Sequence, residues 1–134
     1  MNYHPLVVYL STGALLFTYG AYFLYFTFMN RSSFTFFYAL TNHALSVILS
    51  ILAVLTGLSA AGTEYVSQKA PFLFLFPHKW VGITLAAYTL LTFLFLWIKQ
   101  RDVGRKLGIV FSLIGLALSL SVLVLGWLLR LIFF

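Results

Sequence analysis

The chain has 134 residues, 63% of them hydrophobic and only 7% charged, with a mean hydropathy of +1.05. A water-soluble domain carries about 25% charged residues, so the composition excludes one and points to an integral membrane protein. Eight basic residues against two acids give a net charge of +6, but the basic residues sit between apolar runs, which is membrane topology and no sign of nucleic-acid binding. The lack of cysteine excludes disulfides, thiolate-bound clusters and cysteine nucleophiles.

Four apolar runs are read in chain order, over residues 6–29, 34–60, 80–98 and 107–129. Each is near the roughly 20 residues that a helix needs to cross a bilayer core. None shows the alternating polarity of a membrane strand. The first run has no Lys or Arg before it and is too long for a signal-peptide core, so it reads as a retained span. It opens with "HPLVVYL", and Pro5 suits the first turn of a helix, where its missing N–H would have no partner anyway. Pro77, in "FLFPHKWVGI", is read the same way, as the entry to the third span. Ahead of it, "PFLFLF" is too short to cross, and is read as lying in the interface or dipping into the bundle.

Arg31, Lys99, Arg101, Arg105 and Lys106 fall on one side of the membrane, and Lys69, Lys79 and Arg130 on the other. The positive-inside rule puts the first group in the cytoplasm. Both termini and the 61–79 loop then face outward. Trp80, Trp97 and Trp127 fall near span ends, as interfacial aromatics do.

Small residues recur at steps of three and four on every span: Ser11, Ala14, Thr18 and Ala21; Ser46, Ser50, Ala53 and Gly57; Gly82, Ala86 and Thr89; Gly108, Ser112, Gly115 and Ser119. Such steps share one helix face. Lipid supplies no hydrophobic drive for helix pairing, so close approach along small faces does that work. The expected fold is all-α, a single four-span domain over residues 1–134 forming an antiparallel four-helix bundle. Packing is the first reading of the small residues, and clearance for a cofactor the second.

The three histidines carry the functional question. His4 and His78 both enter from the outer side on different helices, so their imidazoles are expected at similar depth. That is a precondition for joint ligation of a haem iron or another metal. A proton site, or plain interfacial histidines, are the alternatives. Tyr9 and Glu64 are nearby candidates to orient an imidazole. His43 lies about nine residues, or about 13 Å, into the second span. It extends the small-residue face and is expected to face the bundle interior. It is read as a buried imidazole bonded to Tyr19, Tyr22, Thr89 or Ser119, with axial ligation of a haem or chlorophyll-type pigment as the alternative.

"HPLVVYL" at the first span, Thr56-Gly57-Leu58 at the end of the second and "HKWVGI" opening the third resemble the family catalogued as domain of unknown function 2231. Its members are small four-span bacterial membrane proteins. They begin with a His-Pro motif, carry Thr-Gly-Leu followed by an acid, and place a histidine at the third helix. His4, Pro5, Gly57 and His78 match that pattern. Tyr9 stands where the family has a second early histidine, and Ser59 and Ala60 stand where the acid would be. A site using only His4 and His78 survives those departures. The resemblance implies redox company, since such domains occur beside Rieske-type and cytochrome c-type modules.

The only acids, Glu64 and Asp102, are expected on opposite sides, so no carboxylate pair forms, and no phosphate loop or nucleophile–base set is present. Neither intramembrane acids nor clearly broken helices point to a transporter. The expectation is a multi-pass protein of the bacterial inner, or cytoplasmic, membrane, acting as a small subunit of a redox system. It would bind a b-type haem through His4 and His78 and pass electrons between quinone and an outer-face partner. The competing expectations are a non-catalytic accessory or assembly subunit of a larger membrane complex, and pigment ligation through His43.

Overall fold

The computed structural model describes residues 4–61 and 72–133. They form four helices: α1 (His4–Thr27), α2 (Ser33–Ala61), α3 (Phe72–Lys99) and α4 (Arg105–Phe133). All four are long and apolar enough to cross a membrane. Among the described residues there is no strand. The fold is the expected helical bundle. Its apolar outer face, with Phe17, Phe28, Leu91 and Ile98 among its most exposed side chains, is suited to lipid.

Each helix packs on two neighbours: α1 against α2 and α4, and α3 against α2 and α4. The chain alternates direction. The start of α1 meets the end of α2, where His4 bonds Thr56. The end of α1 meets the start of α4, where the Phe26 ring covers Gly108. His78, early in α3, lies on Gly126, late in α4. The bundle therefore has a histidine end, with His4 and His78, and a basic end, with the 28–32 and 100–104 connections.

The small residues explain how closely the helices approach. Ser11, Thr18, Ser46, Ser50, Ser112 and Ser119 are buried. Hydroxyls of Thr18, Ser46, Ser112 and Ser119 donate to the carbonyl four residues back on their own helix, and Thr18 and Ser46 also meet across α1 and α2 at 3.1 Å. A Cβ on Gly108 or Gly115 would collide with the Phe26 or Tyr19 ring, so these glycines are seats for aromatics. Gly82, read as part of the third small face, instead has open space at its Cβ position.

Around these seats the core is aromatic. Tyr19, Tyr22, Tyr25, Phe26, Phe36 and Phe111 are buried, in tilted or edge-to-face pairs. Such geometry sets ring edges against ring faces, as the aromatic quadrupole prefers.

The basic end is tied by arginines. Arg101 donates through Nε to the Tyr25 hydroxyl at 3.0 Å and through a terminal nitrogen to the Asn30 carbonyl at 3.3 Å. Arg105 donates to the Thr27 carbonyl at 3.2 Å. Cations there meet the carbonyls left open where α1 ends, the negative end of its dipole. The α2 start is capped by Ser32, whose Oγ accepts the Thr35 backbone N–H at 3.2 Å. After α3, Gln100 takes a left-handed φ of 50° and ends the helix.

One expectation is corrected. The third helix begins at Phe72, so much of the "PFLFLF" stretch is helical, ahead of the stretch from Pro77 to Lys99 that is apolar enough to cross. Pro77 therefore lies inside α3 and does not mark its entry. The Pro77 ring removes one N–H from the ladder near the helix start, where five residues precede it. An apolar run with no Gly or polar break gives the backbone no reason to leave the helix. Pro5, by contrast, is the second residue of α1, as expected.

Candidate ligand site at the histidine end

His4 and His78 come together. Their ring centroids lie 6.1 Å apart, with the planes at 70°. Both residues are half-buried and line a cavity of about 70 Å³ between the helices, together with Val8, Ser50, Ala53, Leu85 and Val122. Each ring sits in a notch made by glycine. A Cβ on Gly57 would lie 2.8 Å from His4 Cε1, and one on Gly126 would lie 3.1 Å from His78 Cε1. At Gly57 the small residue makes room for an imidazole of the chain itself, which is packing, the first reading of the small residues.

The tautomer of His4 follows from its neighbour. The Thr56 hydroxyl donates to the Ala53 carbonyl at 3.1 Å. Its oxygen therefore accepts at 3.0 Å from His4 Nδ1–H. A neutral His4 ring then carries its lone pair on Nε2. Thr56 fills the orienting role expected of Tyr9 or Glu64. Tyr9 is exposed on α1, and Glu64 lies outside the described residues. Nδ1 of His78 is buried and has no hydrogen-bond partner among the described residues. A buried polar atom left unbonded is rare enough to demand a reason, and a ligand is one such reason.

A haem would need its macrocycle between the two imidazoles. Pockets for small organic ligands run to roughly 300–1,000 Å³. The cavity here is about 70 Å³, and each ring is already seated against a helix backbone. The cleft as built has room for an ion or a few waters, and a porphyrin does not fit without parting the helices.

His43 lies elsewhere, fully buried in the aromatic core. Its Nε2 lies 2.9 Å from the Thr89 carbonyl and its Nδ1 2.8 Å from the Tyr22 hydroxyl. A carbonyl only accepts, so Nε2 carries the hydrogen, and Nδ1 of the neutral ring accepts from Tyr22. Of the four expected partners, Tyr22 bonds through its side chain and Thr89 through its backbone. Tyr19 packs its ring at 5.6 Å, and Ser119 bonds to Gly115 instead. Both nitrogens are engaged, so a pigment could take His43 only by displacing Tyr22. Nearby, Tyr19 shares a hydrogen bond with Thr92 at 3.0 Å, and the Tyr88 hydroxyl donates to the Phe111 carbonyl. The network ties α1, α2, α3 and α4 at mid-bundle.

Among the described residues, no group of three or more His, Cys, Asp or Glu side chains is placed to hold a metal ion. The site is thus a two-nitrogen site with an apolar floor. No family model, curated protein or solved structure matches the chain.

Proposed function

We propose that the chain is a small subunit of a membrane redox system, with the His4–His78 cleft as its working site. One observation carries this reading: two imidazoles from separate helices sit 6.1 Å apart, with His78 Nδ1 buried and unbonded among the described residues. A buried imidazole nitrogen with no partner among the described residues, beside a second imidazole, is costly unless it holds something. The resemblance of the His-Pro, Thr-Gly-Leu and third-helix histidine motifs to a family found beside redox modules supports the same reading. The protein sits in a bacterial cytoplasmic membrane. Its basic end, with Arg31, Lys99, Arg101, Arg105 and Lys106, faces the cytoplasm, so the cleft faces outward. Quinone in the bilayer and a larger membrane complex are its natural redox company.

The test is electron flow in the host membrane. Chromosomal His4→Ala and His78→Ala variants, matched for abundance, are compared with wild type for quinol-dependent reduction of an external acceptor. Each variant should lose the flow that deleting the gene removes, while His43→Gln keeps it. If the alanine variants sustain wild-type flow and deletion does not, the chain is an accessory subunit that acts by docking, and the redox-site reading falls.

A further inference from the structure

We infer that His4 and His78 form a binding site for one monovalent copper ion, coordinated by the two imidazoles. The inference rests on reading this cleft as the working site, and it names the ligand. Separation is the first argument. A metal lies about 2.0–2.1 Å from an imidazole nitrogen, and a ring nitrogen lies about 1.2 Å from its centroid. Two rings on one ion then have centroids at most about 6.6 Å apart, and a bent N–metal–N angle brings them closer. The observed 6.1 Å falls within that reach.

Donor number is the second argument. Zinc sites are almost always four-coordinate, and catalytic ones supply three protein ligands. The described residues give two. Monovalent copper, with its filled d shell, is satisfied by two nitrogens in a near-linear array, and imidazole suits copper. Charge is the third. Val8, Ala53, Leu85 and Val122 give the cleft an apolar floor, the exposed Lys79 is the one charged residue lining it among those described, and no described acid lies beside it. The Born cost of an ion in such a place rises as the square of its charge, about four times higher for a divalent ion. A monovalent ion with neutral ligands is the least costly metal here.

The ligand atoms follow from the hydrogen bonds. Thr56 takes the His4 Nδ1 hydrogen, which directs the Nε2 lone pair to the metal and fixes the ring. On His78, the buried Nδ1, without a partner among the described residues, is the donor atom the ion would satisfy. The Gly57 and Gly126 notches let both rings lie this deep between the helices.

The test uses the full chain in mild detergent, stripped of metal and titrated anaerobically with copper(I) against a chromophoric copper(I) chelator. Wild type should bind one equivalent, with an X-ray absorption edge of low-coordinate copper(I) bound by nitrogen alone. His4→Ala and His78→Ala should lose stoichiometric binding. His78→Met should keep it, because a thioether also suits copper(I). Thr56→Val should bind about 10–100-fold more weakly, as loss of an orienting partner does. His43→Gln should bind as wild type, and its helical circular dichroism controls for folding. Zinc(II) at equal concentration should not displace the copper. No binding by wild type, undiminished binding in both alanine variants, or preference for zinc overturns the assignment. Electron flow that needs both histidines in a chain that binds no copper would keep the redox reading and discard the metal. Copper lost from both variants with electron flow intact would do the reverse.

Discussion

At the scale of single residues, the same amino acid has opposite roles in the two halves of the bundle. His43 is a structural imidazole, with Tyr22 on one nitrogen and the Thr89 carbonyl on the other. Among the described residues His78 leaves a nitrogen unbonded at the cleft. The depth of His43 and two of its partners were legible in the sequence, because an ionisable residue at mid-span has few places to point. Thr56 was not, since only the packed structure brings it to His4. His43→Leu leaves the Tyr22 hydroxyl without its hydrogen-bond acceptor, while the Thr89 carbonyl still accepts from the Thr92 hydroxyl at 3.2 Å. We expect a loss of about 1–2 kcal/mol, the upper range for hydrogen bonds between membrane helices, measured by unfolding in mixed micelles. His43→Gln should lose less, because its amide can still accept and donate. Tyr22→Phe combined with His43→Leu should cost less than the sum of the two singles. Additive costs would mean that the two side chains do not act as a pair.

Glycine gives a second test at this scale, because the sequence pattern treats Gly57 and Gly82 alike and the structure does not. A methyl on Gly57 would press into the His4 ring, whereas one on Gly82 meets nothing within 4 Å. Gly57→Ala should destabilise by about 1–3 kcal/mol through overpacking and weaken the His4–Thr56 bond. Gly82→Ala should be neutral or stabilising by up to about 1 kcal/mol, from helix propensity alone. Thermal unfolding of the two variants side by side reads the difference. Equal shifts would refute the notch. Periodicity marks both glycines as small, but only the helix rotation decides which one faces a ring.

At the scale of elements, the ends of the helices were the least legible part. Hydropathy finds the middle of a span well, because about 20 apolar residues in a row have few other uses. It finds boundaries poorly: the "PFLFLF" stretch joins α3, which makes that helix 28 residues long. The proline that was read as a start signal is tolerated inside it, near the end where few ladder bonds are lost. At the basic end the stop signals are polar and local. Ser32 caps α2, and Gln100 ends α3 in a conformation that side chains with a Cβ adopt at a cost of roughly 1–2 kcal/mol. Ser32→Ala should therefore lose about 1 kcal/mol, and Gln100→Gly should gain about as much by relieving the left-handed strain. Both follow from denaturation midpoints in the same micelle. A destabilised Gln100→Gly would mean that the glutamine side chain holds the turn by contacts of its own.

At the scale of the whole molecule, the two ends of the bundle differ in chemistry, and that difference sets a direction. The basic end carries arginines bonded to the C-terminal turn of α1 and to the loop after it, with Lys99 and Lys106 exposed beside them. The histidine end carries a cleft with an apolar floor. Four spans and short connections were readable from hydropathy, since each connection at the basic end has only about five residues. Which faces meet was not readable, because small residues lie on several faces and lipid-facing side chains are as apolar as those inside. The charge difference predicts orientation independently of any site. A phosphatase that folds only outside the cytoplasm should be active when fused after Phe134 and silent when fused after Arg105. Replacing Lys99, Arg101, Arg105 and Lys106 by Gln should weaken that bias and send part of the population in reversed. Because Arg101 and Arg105 also bond to α1 and its following loop, Lys99→Gln with Lys106→Gln is the cleaner pair, since both side chains are exposed. If the fusion after Arg105 is active in the wild-type chain, the cleft opens to the cytoplasm. Any metal it holds then arrives from the reduced side of the membrane, and the external acceptor of the proposed function has no access to it.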